Sequence, residues 1–272
     1  MIFNRFFILF KIGRKIGKSN IINIVSETHK IPVFIKLFFN LLAFSFSSSN
    51  NTKSKGKENL SESIQEMGTT FIKLGQFLAT RPDIIGEKLS KELESLQDKL
   101  PPFSKKDAEK IIIENLGQSN FDDIIDLSEP IAAASIAQVH KAKIKEDNII
   151  KNVAIKVLRP NIKKIFNDEI DAIMLLAYIV ESLISKTKRL KLIEVVFLFK
   201  EITNHEMDLR FEAAAANEYA ENTKNDLGFF VPKIYWNFTS ESVLTLDWVD
   251  GVSIREKAVS YTHLRAHETC EN

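Results

Sequence analysis

The sequence predicts an α+β fold, and three observations support this class. Apolar residues recur every three or four positions over the segment before Pro101, which is the spacing of amphipathic helices. Past Pro130 the residues become small, then alternating and β-branched, which predicts strands. Long helical patterns follow Pro160, and two short strand patterns come after them. This order of strands, helices and strands is typical of an α+β lobe.

Composition limits the classes of function. A chain of 272 residues can bury a core and corresponds to one or two domains. Lys and Arg number 37 against 36 Asp and Glu, so no charge excess favours a nucleic-acid partner. The single Cys270 excludes a disulfide framework and a multi-thiolate metal site, and the five histidines show no metal-ligand spacing. No structural zinc site is therefore expected.

Residues 1–50 are predicted to form amphipathic helices close to a membrane. They are rich in Phe, Ile and Leu, and basic residues interrupt every apolar run before it reaches the roughly 18 to 20 residues of a spanning helix. Two interpretations remain open. The helices lie on a membrane surface through their aromatic and basic side chains, or they pack on the domain behind them. The recurring basic residues argue against a cleaved signal peptide.

Residues 51–128 are predicted to be a helical extension that follows a polar linker over 45–57. The predicted helices span 60–80, 86–100 and 104–116. Ser104 is the expected N-cap of the third helix and Gly117 its C-cap. The first helix has an apolar face and a polar face that carries Thr69, Lys73, Gln76 and Thr80. Periodicity alone assigns such a polar face to solvent.

Residues 129–258 are predicted to form the sheet-containing lobe. A glycine-poor hairpin turns around 145–148, and a strand over 153–158 is closed by Pro160. The remaining predicted elements are helices over 162–185 and 190–222 and strands over 231–237 and 242–247.

Four motifs in this lobe carry possible chemistry. Lys156 follows Val-Ala-Ile in a strand, where a lysine can reach nucleotide phosphates if a downstream glutamate holds it. The small residues over 132–137 occupy the place of a phosphate-covering loop. An acidic helix carries Glu206, Asp208 and Glu212, and the strand that runs into Asp247 resembles a hinge that offers backbone groups to an adenine edge. Taken singly, the first three motifs are better explained by structure alone. Lys156 would be an exposed strand lysine, the small residues a tight turn, and the acidic helix a solvated face.

Taken in order, the motifs resemble the UbiB or aarF-domain family of atypical kinase-like proteins linked to ubiquinone biosynthesis. The resemblance extends from about Ile31 to Ala258. It rests on FIKLGQFLATRPDIIG (71–86), LQDKLPPF (96–103), IAAASIAQVHKAKI (131–144), VAIKVLRPNI (153–162), EMDLRFEAAAANEYAEN (206–222) and VPKIYWNFTSESVLTLDWVDG (231–251).

The resemblance implies a protein-kinase-like N-lobe over 129–258 and gives roles to its residues. Lys73 and Gln76 belong to a KxGQ helix that covers the nucleotide and blocks the usual peptide groove. Lys156 contacts phosphate, and Glu206 with Asp208 form an acidic motif whose Glu partners a lysine, with Glu212 as the second candidate for that partner. The other implied nucleotide-binding residues are Ala132, Ala133, Ala134, Ser135, Asp247 and Val249.

The resemblance also implies a function. Its members are expected to bind ATP or ADP with magnesium and to act on lipid or quinone precursors together with ubiquinone-biosynthesis proteins. The expected location is peripheral, on the cytoplasmic face of a bacterial inner membrane, with a mitochondrial location as the alternative. A non-catalytic nucleotide-binding scaffold or chaperone for lipid precursors is the second candidate. The lid helix and the missing Gly-rich loop argue against an ordinary protein kinase.

The chain departs from a complete kinase-like pattern at its end. No catalytic-loop Asp and Asn and no Asp-Phe-Gly segment follow Gly251. Residues 259–272 resemble translated sequencing adapter, so we expect a non-native tail on a gene cut off near Ala258. On this interpretation the C-lobe and the magnesium ligands are absent, the chain transfers no phosphate, and its exposed apolar surface lowers its solubility.

Overall fold

The computed structural model describes residues 2–18, 60–96, 100–226 and 228–251. It joins a five-stranded antiparallel sheet to helices on both faces, which confirms the α+β class. The expected linker over 45–57, the expected tail over 259–272 and most of the amino-terminal 50 residues lie outside the described residues.

The helices and strands are numbered in chain order. The α-helices are α1 (Ile2–Lys18), α2 (Leu60–Met67), α3 (Thr69–Ala79), α4 (Pro82–Ile85), α5 (Glu87–Glu94), α6 (Lys105–Leu116), α7 (Gln118–Asp122), α8 (Ile162–Leu183), α9 (Leu192–Glu206) and α10 (Leu209–Asn222). The strands are β1 (Ile124–Ile125), β2 (Pro130–Ala133), β3 (Ala137–Glu146), β4 (Ile149–Leu158) and β5 (Val243–Asp247). Short 3₁₀ helices span Ser185–Leu190 and Trp236–Phe238.

The sheet is organised around the β3–β4 hairpin. β1 and β2 both pair with one edge of β3, and β5 pairs with the far edge of β4. The hairpin turns at Asp147 and Asn148, whose φ angles of 52° and 60° are those of a two-residue turn that suits the strand twist. The predicted turn over 145–148 is thus confirmed. Lys156 in β4 lies opposite Val139 and Leu244, at the centre of the sheet.

Two predicted helices are each divided in the structure. The helix expected over 60–80 breaks at Gly68, whose φ of 103° only glycine adopts readily and which caps α3. The helix expected over 190–222 breaks at Met207 and Asp208, where the Asp208 carboxylate accepts the backbone N–H of Arg210 and caps α10. In contrast, Ser104 and Gly117 cap α6 as predicted.

The prediction of a strand over 231–237 is wrong. Only an isolated bridge joins Ile234 to Leu246, and the chain then enters the 3₁₀ turn at Trp236. Pro232 lacks a backbone N–H, and proline is disfavoured within a strand ladder. This segment therefore lies beside β5 without extending the sheet.

Two apolar cores cover the two faces of the sheet. On the face that we call the α6 face, Ile155 and its strand neighbours pack against Ala108 and Ile112 of α6. On the opposite face, which we call the cavity face, Phe166 of α8, Phe199 of α9 and the start of α10 form the larger core. Burial of this apolar surface is the main favourable contribution to folding.

Helix α3 lies among three packing neighbours. Ile72 is fully buried in a small core with α2 and α5, Phe71 packs toward α1, and Leu74 packs against the core of the cavity face. At Gly75 an added Cβ would lie 3.0 Å from the Leu96 side chain, so glycine allows this close approach. The helix is therefore a packed element that borders the cavity face.

Candidate nucleotide-binding site

A cavity of about 400 Å³ opens on the cavity face of the sheet. This size lies within the range of small-molecule pockets. It is lined by Lys73, Ala134, Ile136, Ala137, Lys156, His205, Glu206 and Glu212. The elements that meet here are α3, the loop after β2, the start of β3, the carboxyl-terminal part of β4, the end of α9 and the start of α10.

Lys156 reaches the cavity because of its position in β4. Its neighbours Ile155 and Val157 are buried on the α6 face, and successive side chains of a strand point to opposite faces. The Lys156 Nζ donates to both carboxylate oxygens of Glu212, at 2.9 and 2.7 Å. Both side chains keep contact with solvent, so the pair remains accessible to a ligand.

Lys73 and Glu206 form a second ion pair at the same cavity. The Lys73 Nζ lies 3.0 Å from Glu206 Oε2, and only 15% of the Lys73 side chain is exposed. Lys73 comes from α3, whereas Glu206 is the last residue of α9. The interpretation of Lys73 as part of a solvated face is therefore wrong. Two ammonium groups from separate elements border one cavity, each beside a carboxylate.

The three acidic residues of the motif have different partners, and only the two glutamates line the cavity. Glu206 partners Lys73, and Glu212, the second candidate, is the glutamate that partners Lys156. Asp208 does not line the cavity. Its carboxylate accepts from Arg210 at 2.9 and 2.6 Å, and this hydrogen bonding holds the pKa of Asp208 below its usual range. Asp208 therefore acts locally as a helix cap with a charged partner.

The predicted Ala-rich loop contributes one residue of its four to the cavity. Ala134 lines it, whereas Ala132 and Ala133 belong to β2 and pair with Val139 and Gln138. Ser135 is fully buried. A hydrogen bond of 2.8 Å from Ala134 N to Ala137 O closes the loop into a tight turn.

Three other predicted site residues lie away from the cavity lining. Gln76 is half-buried in α3, about one turn beyond Lys73. The Asp247 carboxylate accepts from the Tyr235 hydroxyl at 2.5 Å, and the Asp247 N–H donates to Lys233 O at 2.9 Å. Burial, together with this hydrogen bond, raises the pKa of Tyr235. Val249 follows β5 and is exposed.

Three residues of the cavity wall are not among the individually predicted binding residues, namely Ile136, Ala137 and His205. Ile136 and Ala137 end the small-residue stretch, so their place beside Ala134 was a usable signal. The ring of His205 contacts the Phe211 ring edge-on, with 4.8 Å between the ring centroids. Its position directly before Glu206 was the only local indication that it borders the same space.

The antiparallel sheet, with a strand lysine held by a glutamate of a following helix, defines the N-lobe of a kinase-like protein. A family model for the ABC1 atypical kinase-like domain matches residues 95–271. The chain belongs to this family, and the resemblance inferred from its motifs is confirmed.

Three bacterial relatives illustrate the similarity, and each is named probable protein kinase UbiB. That of Marinobacter nauticus is 34% identical over 228 residues, which cover 84% of this chain and 41% of the relative. That of Cellvibrio japonicus is 33% identical over 229 residues, covering 84% and 41%. That of Tolumonas auensis is 37% identical over 205 residues, covering 73% and 36%. The chain thus spans less than half the length of these relatives.

Proposed function

We propose that the chain forms the nucleotide-binding lobe of an atypical kinase-like ATPase that supports ubiquinone biosynthesis and takes ATP or ADP with magnesium. The observation that carries the proposal is the cavity bordered by Lys73 and Lys156, each held by its own glutamate. The UbiB name of the relatives supports the pathway.

The two lysines have different roles in the proposal. Lys156 projects from the rigid centre of the sheet and binds phosphate oxygens as a point charge, while Glu212 fixes its direction. Lys73 projects from α3, so it adds charge from the covering side of the cavity. Gln76, the hinge backbone at Asp247 and Val249, and the flanking alanines remain proposed secondary contacts.

The described residues fit phosphate better than a resident metal ion. Both cavity carboxylates already contact an ammonium group. Within the described ranges, no group of three or more His, Cys, Asp or Glu side chains could hold a metal ion. Magnesium is commonly bound by one or two carboxylates together with substrate phosphates. We therefore assign no magnesium ligand to these residues, and in the proposal the ion enters with the nucleotide.

Helix α1 supports the proposed contact with a membrane or a lipid precursor. Ile12 is buried against the domain, while Phe7 and Phe10 are exposed and Lys11 lies over the Phe7 ring. Both open interpretations thus have support, since one side of α1 packs on the domain and another side presents aromatic and basic groups.

No helix among the described residues is long and apolar enough to cross a membrane. Cosedimentation with anionic vesicles, lost in a Phe7→Ala and Phe10→Ala double variant, checks the proposed surface contact.

Titration with a fluorescent ATP analogue tests the nucleotide site. Lys156→Ala is expected to weaken binding by about tenfold or more, since hydrogen bonds to charged groups contribute roughly 1.5 to 3 kcal/mol. Lys73→Ala is expected to change the ratio of ATP to ADP affinity. Lys110→Ala is the matched control, because Lys110 pairs with Glu114 on the surface of α6. Equal affinities for the wild type and Lys156→Ala would refute the assignment.

The pairing of both cavity glutamates favours a second candidate, a nucleotide-binding scaffold or chaperone for lipid precursors. Each of these carboxylates is already bound by an ammonium group, as in a site that holds a ligand without acting on it. Phosphate release at saturating ATP separates the two candidates. Binding without release supports the scaffold, whereas release that Lys156→Ala abolishes supports the ATPase.

A further inference from the structure

The loop over 134–136 has all three of its backbone carbonyl groups bound by other parts of the protein. Ala134 O accepts from the Arg159 Nε and Nη2 at 3.1 and 2.8 Å. Ser135 O accepts from the Thr69 hydroxyl at 3.2 Å. Ile136 O accepts from the Arg159 backbone N–H at 2.8 Å. A short surface loop usually moves more than the strands it joins, so anchoring at three successive carbonyls restricts it.

Thr69 connects this loop to the helix that carries Lys73. It is the first residue of α3, directly after Gly68, and Lys73 lies four residues later on the same side of the helix. One rigid element therefore supplies both a cavity lysine and an anchor for the loop. Movement of the loop away from the cavity requires loss of the Thr69 bond.

Arg159 connects the loop to the end of β4 and to the segment before α6. Its guanidinium lies 5.8 Å from the centre of the Phe103 ring. The backbone of Phe103 is held in turn by the buried Gln138, which accepts from Phe103 N at 2.9 Å and donates to Phe103 O at 3.2 Å. Arg159 is thus supported on a fixed aromatic surface while it binds Ala134.

We propose that Thr69 and Arg159 are positioning residues that hold the loop over 134–136 closed beside the nucleotide cavity and so slow nucleotide exit. The functional part of this inference rests on the proposed nucleotide site. The anchoring itself is a property of the nucleotide-free protein. A loosened loop opens more often, so the nucleotide leaves faster and ATP affinity falls.

Thr69→Val and Thr69→Ser form the matched pair of variants. Valine keeps the branched shape and removes the hydroxyl, whereas serine keeps the hydroxyl. Without nucleotide, we expect amide hydrogen exchange over 134–137 to be about three- to tenfold faster in Thr69→Val and close to wild type in Thr69→Ser. Equal exchange in the two variants would overturn the anchoring.

Arg159→Lys and Arg159→Met provide the second arm. Lysine can retain one side-chain hydrogen bond to Ala134 O, whereas methionine retains none. The rate of amide hydrogen exchange over 134–137 should therefore rise in the order wild type, Arg159→Lys, Arg159→Met. The dissociation rate of a fluorescent ATP analogue should rise in the same order. If the wild type binds the analogue and its dissociation rate is the same in Thr69→Val, the positioning role is overturned. If the wild type binds no nucleotide, the proposed function and the slowing of nucleotide exit both fail, and hydrogen exchange still decides the anchoring.

Discussion

The two faces of the central strand β4 differ in chemistry. On the α6 face Val153, Ile155 and Val157 have no exposed surface and pack among other apolar side chains. On the cavity face Lys156 carries a charge that is paired with Glu212 and partly open to solvent. The strand therefore contributes apolar side chains to the core on one face and, at Lys156, a charged side chain to the cavity on the other.

Polar groups on the α6 face are buried and uncharged, unlike the charged pairs of the cavity. Gln138 and His140 are buried there, and each makes hydrogen bonds without a charged partner: Gln138 Nε2 lies 2.9 Å from His140 Nε2, and His140 Nδ1 lies 2.9 Å from Ser128 O. Buried polar groups are tolerated when their hydrogen bonds are satisfied. On the α6 face polar groups are therefore buried and neutral, whereas on the cavity face charge is placed where a ligand can compete for it.

The largest expected effect is on the α6 face. Ile155→Ala should lower the free energy of unfolding by about 2 to 5 kcal/mol, because it removes a buried side chain and leaves a cavity. Ile150 lies on the same strand but is exposed, so Ile150→Ala should stay within about 0.5 kcal/mol of wild type. Urea denaturation measures both. Similar losses in the two variants would remove the contrast between the core and the exposed end of β4.

The next effect concerns the cavity face and should appear in binding more than in stability. Glu212→Gln keeps the shape of the side chain but removes the charge that orients Lys156. Because the pair is partly exposed, we expect a stability loss below about 1 kcal/mol. We expect ATP affinity to fall several-fold in a calorimetric titration. Glu114→Gln, in the exposed pair with Lys110 on α6, is the control and should change neither quantity.

A stability loss of several kcal/mol in Glu212→Gln with unchanged ATP affinity would reverse the contrast between the faces. The cavity ion pair would then be a structural element, and the proposed role of Lys156 would lose its support.

The sequence was sufficient for the β3–β4 hairpin because the signals for that hairpin are local. The alternation along β3 and β4 and the Asp147-Asn148 turn predict a hairpin without knowledge of any distant contact. Lys156 could be placed for the same reason. The two glycines of the Lys73 helix show the limit. Gly68 has a positive φ and separates α2 from α3, whereas Gly75 lies inside α3 and allows the Leu96 side chain to pack closely against the helix. Both occur in one continuous apolar period, so periodicity cannot distinguish them.

The partners of the two lysines could not be derived from spacing for a related reason. On one continuous helix Glu206 and Glu212 would lie about 120° apart. The break at Met207 and Asp208 changes the direction of the chain and allows both glutamates to border one cavity. The cap at this break depends on a local hydrogen bond that the Asp208 carboxylate accepts. In the sequence, Asp208 looks like any other acidic residue within a helical pattern.

The smallest expected effect is a pH dependence on the α6 face, at His140. Burial lowers the pKa of His140 below its ordinary value of 6.5, and Lys105 acts in the same direction. The Ser128 carbonyl, Glu129 and Glu109 oppose this shift. The unfolded chain therefore binds a proton at a higher pH than the folded protein does. The stability that depends on neutral His140 is fully present above about pH 6.5, the ordinary pKa of the residue. It is lost as the pH falls through the lower pKa that His140 has in the folded protein.

His140→Gln removes this titration while it keeps a side-chain N–H donor. We expect the free energy of unfolding of the wild type to approach that of the variant between pH 7.5 and about 5.5, because only the wild type loses the His140 contribution in acid. Denaturation curves at matched pH values measure the difference, and the other acid-sensitive groups cancel between the two proteins. Parallel pH profiles would mean that the buried network accepts a proton without loss, in which case the α6 face is as tolerant of charge as the cavity face.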